Sequence, residues 1–392
     1  MNRIHIAIGA AAGLMMSLLC LPAAAQTQGV SKSEILVGSI TDLSGPLAPY
    51  GKGLRNGANL RIAEVNEQGG VHGRKIRLLI EDSGYDPKRA VLAAQKLVTQ
   101  DKIFVMAGLL GTAPTNAALP VLTQANVMNF FPMTLAREMY EPVNKLKFAF
   151  VSSYVEQMSR AVPRLYKEKK SGKACTLYQD DEFGLEVMRG AELGLKSIGV
   201  EFAERTTYKR GATEFSSQMA RLKQAGCDFV VLGTVIRETV GSIAEARKIG
   251  FNPTFLTSVA AYTDLIPKLG GKAMDGVYST MTAAFPYEDD ATQPVRFWAT
   301  KYKTATGEAP NIFSAYGYII IDRLISALQR TGPKLSTESL ASTLEGMTMP
   351  SDIFGMPALS FSPTKHLGSS EARLSQLQDG RWKIVLDYAE MR

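Results

Sequence analysis

The sequence predicts an α/β protein of two doubly wound, Rossmann-like lobes joined by a hinge. Three observations predict it. Short apolar runs alternate with amphipathic helical stretches from Ile35 to Phe131, the pattern of a parallel sheet covered on both faces. The pattern restarts after Phe150 and runs to Thr257 in a second unit that matches the first in pattern, not in residues. The later chain is too irregular for a third such domain, so it fits a chain crossing back to complete both lobes. A cleft between hinged lobes is a natural ligand site.

Residues 1–25 read as an export signal: Arg3 is the positive start, Ile6 to Leu21 the apolar centre and Ala23-Ala24-Ala25 the cleavage site. The apolar run is too short and wrongly flanked for a lasting membrane span, and Leu19 before Cys20 argues against lipidation. Cleavage near Ala25 would release an exported chain. Ile35–Ile40 then reads as a strand, followed by the loop Thr41 to Gly51. A helix with Leu54, Ala58, Ile62 and Val65 at helical spacing ends at Gly69-Gly70. Ile76–Ile80 is a second strand, and Asp86-Pro87 caps a helix faced with Ala90, Ala94, Leu97 and Val98.

The organising stretch comes next, Ile103 to Asn116. Its apolar half reads as a buried strand; Gly108 and Gly111 turn the chain, and Thr112 is the expected N-cap of a helix entered through Pro114. A strand turning into a helix N-terminus offers unpaired N–H groups, the positive end of the dipole and the Thr112 hydroxyl, which together suit an anion, best a carboxylate. That loop holds no His, Cys, Lys or acid, so it offers binding and no catalysis. Val127–Phe131 is a further strand.

In the second unit a helix begins near Tyr154. Strands are expected at Ala174–Gln179, 201–207, Cys227–Leu232 and 254–257, with helices at 185–198, 213–225 and 237–249. Val277–Thr280 reads as a strand, 292–305 and 314–330 as helices, and Trp382–Tyr388 as a final strand. The first lobe is expected to comprise 26–150 with about 281–345, the second about 151–280 with 346–392.

Composition narrows the function. Apolar content of 45% and charged content of 21% describe an ordinary globular chain, and the net charge of +7 is spread along it, against nucleic-acid binding. His72 and His366 stand far apart, so no metal site is expected. Gly51, Gly53 and Gly57, with Asp82 further on, mimic a dinucleotide fingerprint, but the turn does not directly follow the strand and the spacing is wrong. Without a P-loop or nucleophile elbow the chain reads as no enzyme, with no cofactor. Cys175 and Cys227 either pair in an oxidising compartment or remain two buried thiols, the slightly favoured reading.

Five stretches then point the same way: Ser44 to Gly51, Asn66 to Gly73, Asp82 to Ala90, Tyr178 to Gly184, and Phe215 to Phe229, with matched spacing from Gly108 to Ala136. On these the chain resembles an extracytoplasmic solute-binding protein of the leucine/isoleucine/valine-binding type, serving an ABC importer. The resemblance covers nearly the whole mature chain. It implies the type I periplasmic binding protein fold, with three segments in the hinge and closure around ligand, and a monomeric receptor in the periplasm whose partner is a membrane permease.

The resemblance also implies site positions. Ser44 and Tyr50 line the cleft; Leu110, Thr112 and Ala113 hold the ligand carboxylate; Met133 and Thr134 contribute from a second loop. From the other lobe come Tyr154, Phe183 as an aromatic wall and Glu238 for an ammonium group, and Phe285 lies in the segment where the family has another aromatic wall. By its own place in a strand-end loop, Asp180 either reaches the cleft or sits solvated. The chain departs from the amino-acid binders in several places. Gly111-Thr112-Ala113 stands for a run of serines, Phe183 for Tyr, Leu135 for a hydroxyl residue, and Val235-Ile236 for a tyrosine pair, with Arg237 beside Glu238. Lost hydrogen-bonding groups weaken an ammonium site and suit an aromatic or alicyclic carboxylate. The implied solute is thus a small carboxylate, a branched-chain amino acid or an aromatic acid. A ligand sensor without a transport role would use the same fold.

Overall fold

The computed structural model describes residues 27–391; the export signal and its cleavage point lie outside them. β1 (Glu34–Thr41), α1 (Ala48–Glu67), β2 (Lys75–Asp82), α2 (Pro87–Thr99), β3 (Val105–Ala107), α3 (Thr112–Gln124), β4 (Met128–Phe130) and β5 (Lys147–Phe148) form the first unit. Its strands run parallel in the order β2-β1-β3-β4-β5. The second unit contains α4 (Tyr154–Glu168), β6 (Ala174–Gln179), α5 (Glu182–Lys196), β7 (Phe202–Tyr208), α6 (Ser216–Gln224) and β8 (Phe229–Gly233). It continues with α7 (Ile236–Lys248), β9 (Thr254–Thr257), α8 (Leu265–Gly270) and β10 (Tyr278–Met281).

The chain next supplies α9 (Gln293–Thr306), α10 (Ile312–Thr331), α11 (Thr337–Glu345), and the short strands β11 (Thr348–Met349) and β12 (Leu359–Ser360). It ends with β13 (Arg373–Gln378) and β14 (Arg381–Leu386), which join the second sheet antiparallel, giving β14-β13-β10-β9-β8-β6-β7. Each sheet has a switch point, between β1 and β3 in one and between β6 and β8 in the other. Ligands of doubly wound sheets bind outside the strand ends at such points, and here the two switch points face one another across the cleft.

Three segments join the lobes: after Phe148, after Met281, and between Leu367, bridged to Ala149, and β13. The last crossing comes later than the expected 346. Phe354 packs edge-on against Trp298 of α9, and Arg323 of α10 donates to the Pro350 carbonyl at 2.6 Å, so residues 348–367 stay on the first lobe's helices. Their Gly-, Pro- and Ser-rich sequence hid β11 and β12. Close packing of α1 on α10 rests on Gly57 and Gly317, where a Cβ would overlap the carbonyls of Ser314 and Leu54. Cys175 of β6 and Cys227, two residues before β8, are disulfide-bonded across neighbouring strands, Cα atoms 5.9 Å apart, so the favoured two-thiol reading is corrected.

Candidate ligand-binding cleft

A narrow cavity lies between the lobes. Its first-lobe wall consists of Leu47, Tyr50, Tyr85, Leu110 to Thr112, Met133, Leu135, Phe313 and Tyr316; Tyr154, Phe183, Val235, Val259 and Ala260 face them. The glycine turn that follows β3 builds the polar corner. Gly108 and Gly111 take φ of 67° and 95°, conformations open to glycine at little cost. Gly111 is also where Tyr85 packs, with Cε2 2.7 Å from the position of a Cβ.

Gly111, not Thr112, is the N-cap of α3; Thr112 is the first helical residue. This corrects the expected cap and leaves the Thr112 hydroxyl free of the helix. It shares a 2.6 Å hydrogen bond with the Thr134 hydroxyl. Two hydroxyls use one hydrogen for that bond, so the second can be donated to a third group. Among the described residues the Thr112 and Ala113 N–H groups donate to no backbone acceptor. The corner therefore presents two N–H donors, a hydroxyl and a helix dipole, a set matched to a carboxylate.

Aromatic rings shape the rest. Tyr50 stacks on Phe313 with centroids 3.7 Å apart, and its hydroxyl donates across the cleft to the Ala260 carbonyl at 2.5 Å. Tyr154 meets Phe183 edge-to-face at 5.2 Å. Burial pushes the Tyr50, Tyr85 and Tyr154 hydroxyls up in pKa, so all three remain protonated donors.

Glu238 lies behind this wall, in the first turn of α7 and three residues from Val235. It is 2% exposed, and its Oε2 has no hydrogen-bond partner among the described residues. Burial raises its carboxyl above the ordinary glutamate value, against lesser opposing effects of a backbone hydrogen bond and Arg237. Its charge reaches the hydroxyls of Tyr50 and Tyr208, lifting both. A buried carboxylate without a partner is costly, and a cation arriving in the cleft would relieve it.

The structure thus brings Tyr50, Leu110, Thr112, Met133, Tyr154 and Phe183 into one cavity wall, with Ala113, Thr134 and Glu238 just behind. Three expected residues fall elsewhere. Ser44 donates to Asp82 at 2.6 Å and is held in the β1–α1 loop. Asp180 turns outward to pair with Lys209. Phe285 packs on Tyr287 at 4.5 Å, in a separate crevice beside the hinge, because its N–H is fixed by the Tyr262 hydroxyl. Sequence reasoning missed Tyr85, Val259, Ala260, Phe313 and Tyr316 as walls. Tyr85 carried one signal, its place after Gly84 in a turn that precedes a helix cap.

The profile of the family described as "Periplasmic binding protein" matches residues 34–381. The chain belongs to that family. Among its relatives, this periplasmic binding protein is 26% identical over 315 residues to the leucine-, isoleucine-, valine-, threonine- and alanine-binding protein of Pseudomonas aeruginosa, covering 80% of this chain and 83% of that one. It superposes with a TM-score of 0.82 on a possible leucine/isoleucine/valine-binding protein from Rhodopirellula baltica, at 21% identity, covering 94% of this chain and 99% of that one. An ABC-transporter solute-binding protein from R. palustris in complex with 4-hydroxybenzoate gives 0.79 at 18% identity, covering 91% and 98%. These structural likenesses fix the type I periplasmic binding protein fold, and the family is one of binding proteins, not enzymes.

Proposed function

We propose that this chain is the periplasmic receptor of an ABC importer and that its cleft holds a small hydrophobic amino acid of the branched-chain type. The Thr112 corner takes the carboxylate, the Tyr and Phe walls enclose the side chain, and Glu238 answers the ammonium. The observation that carries this reading is the buried, unpartnered Oε2 of Glu238, three residues from Val235 of the cavity wall and felt at the Tyr50 hydroxyl. An ammonium-free acid leaves that group uncompensated. The name of the Pseudomonas aeruginosa relative supports the same solute class. The closed receptor would act as a monomer handing its solute to a membrane permease.

A second reading rests on a different observation. Among the described residues no charged side chain lines the cavity itself, and its walls carry six aromatic rings, Tyr50, Tyr85, Tyr154, Phe183, Phe313 and Tyr316. An aromatic carboxylate suits such walls, and the R. palustris protein is in complex with one. Thermal melting of the mature protein with leucine, isoleucine, valine and phenylalanine, beside benzoate, 4-hydroxybenzoate and cinnamate, separates the two. Ligand at a hundredfold excess over Kd stabilises by about 2.7 kcal/mol, a clear shift in Tm. A shift with the aliphatic amino acids upholds the proposal; a shift with the aromatic acids alone replaces it with the second reading.

A further inference from the structure

Tyr85 lines the cavity from the first lobe but is held from behind by the second. It occupies a tight turn with Gly84, closed by the Asp86 N–H on the Ser83 carbonyl at 3.0 Å, and takes φ of 60°. An aromatic residue rarely adopts that left-handed conformation, so its surroundings must hold it there. Three second-lobe contacts do. Arg210 Nη1 donates to the Tyr85 carbonyl at 3.0 Å, the guanidinium lies over the ring at 4.6 Å from its centroid, and Gln179 Nε2 donates to the hydroxyl at 3.2 Å.

Arg210 sits in a turn closed by the Ala212 N–H on the Lys209 carbonyl, with Gly211 at φ 82°. Its Nη2 is anchored to Asp181 at 2.7 Å. Asp181 in turn caps α5 through the N–H groups of Phe183 and Gly184. One guanidinium therefore links the Tyr85 wall to the helix that carries the Phe183 wall.

We propose that Arg210 is a positioning residue for closure: its guanidinium docks on Tyr85 as the lobes meet, and so couples the fit of a ligand against the Tyr85 ring to the time the cleft stays shut. This rests on the reading of the cavity as the ligand site. A planar fork serves the arrangement, because one arm reaches Tyr85 and the other Asp181 while the face stacks on the ring. An ion pair between the lobes, Arg137 with the buried Glu186 at 3.1 Å, involves no residue of the cavity wall and provides a reporter of closure.

Cysteines introduced at those two positions (R137C with E186C) would be joined in the closed form by a short bifunctional thiol reagent, at a rate that measures closure without any ligand. In that background Arg210→Met should slow trapping about fivefold to tenfold, the loss of a charge-assisted hydrogen bond and a cation–π contact. Arg210→Lys should recover part of the rate. Tyr85→Leu should slow trapping less than Arg210→Met, because the Arg210 bond to the backbone carbonyl at 85 survives. Adding Arg210→Met to it should cost less than Arg210→Met costs alone, since the ring contact is already gone. In the chain without the reporter cysteines, Arg210→Met should speed release of L-leucine or 4-hydroxybenzoate, whichever raises Tm. Equal trapping rates with and without Arg210, or independent losses for Arg210 and Tyr85, would overturn the proposal. Slowed trapping with no ligand bound from either class would uphold the docking of Arg210 on Tyr85 and count against the receptor reading and the coupling to ligand fit.

Discussion

Replacing Glu238 with Gln keeps the side chain's shape and removes its charge, and two opposite effects should follow. The free protein carries a carboxyl that is 2% exposed, has an unpartnered Oε2 and is raised in pKa by burial. Removing the charge should leave the stability of the ligand-free protein at neutral pH unchanged or higher. The complex, by contrast, loses the partner of the ligand's ammonium. Truncating one member of a buried charge pair costs about 2–5 kcal/mol, which corresponds to a loss in affinity of roughly 30-fold to several-thousand-fold. Calorimetric titration of L-leucine into wild-type protein and Glu238→Gln, with melting curves of both free proteins, reads the two effects separately. A variant that binds leucine within about twofold of wild type would refute the reasoning, because a neutral amide cannot stand in for a buried counter-ion.

The remaining predictions follow from the same geometry. Affinity for leucine should fall as pH drops through the raised pKa of Glu238, because the protonated acid no longer pairs with an ammonium. Free-protein stability should instead decline as pH rises from the ordinary glutamate value through the raised one, since the unfolded chain loses that proton first. Titrations and melts across that range check both, and Glu238→Gln should flatten the two trends. Thr112→Val should weaken binding of any carboxylate ligand by about 1–3 kcal/mol, measured by the same titration, as the corner loses its hydroxyl. Gly317→Ala should lower stability in urea by about 3 kcal/mol, because the new methyl meets the Leu54 backbone carbonyl, not a side chain free to move. Removing the Cys175–Cys227 bond, which spans 52 residues, should lower stability by up to about 4 kcal/mol in a denaturant melt with and without reductant.

The two-lobe plan was legible because strongly apolar strands and periodic helices alternate in the first two-thirds of the chain. Ala174–Gln179 and Thr254–Thr257 come out as strands with the expected bounds. Elements shaped by tertiary pairing stayed hidden. β13 (Arg373–Gln378) alternates weakly and is a strand because it pairs with β10, and β5 is a two-residue edge strand that exists by pairing with β4. Helix α11 was lost in a segment read as irregular, although Ser336 and Ser339 form its capping box.

The cleft divides in the same way. Residues on the switch-point turns, such as Leu110, Thr112 and Phe183, were found from local pattern and family likeness. Walls contributed by side chains far away in sequence, Phe313 and Tyr316 of α10 above all, look in the sequence like one more apolar helix face. Asp180 was misplaced because loop position alone does not reveal that Lys209 draws it outward. Tyr85, despite its place in a Gly turn, was missed as a wall because its orientation depends on Arg210 and Gln179 from the other lobe.

The most direct test of the central claim compares L-leucine with 4-methylpentanoate, the same carbon skeleton and carboxylate without the ammonium, in calorimetric titrations of the mature protein. If Glu238 answers an ammonium, leucine should bind at least about 30-fold more tightly than the amine-free acid. Equal binding of the two, or binding of 4-methylpentanoate and 4-hydroxybenzoate without leucine, would show that the cleft reads a carboxylate on an apolar body and that the buried glutamate serves no ligand cation.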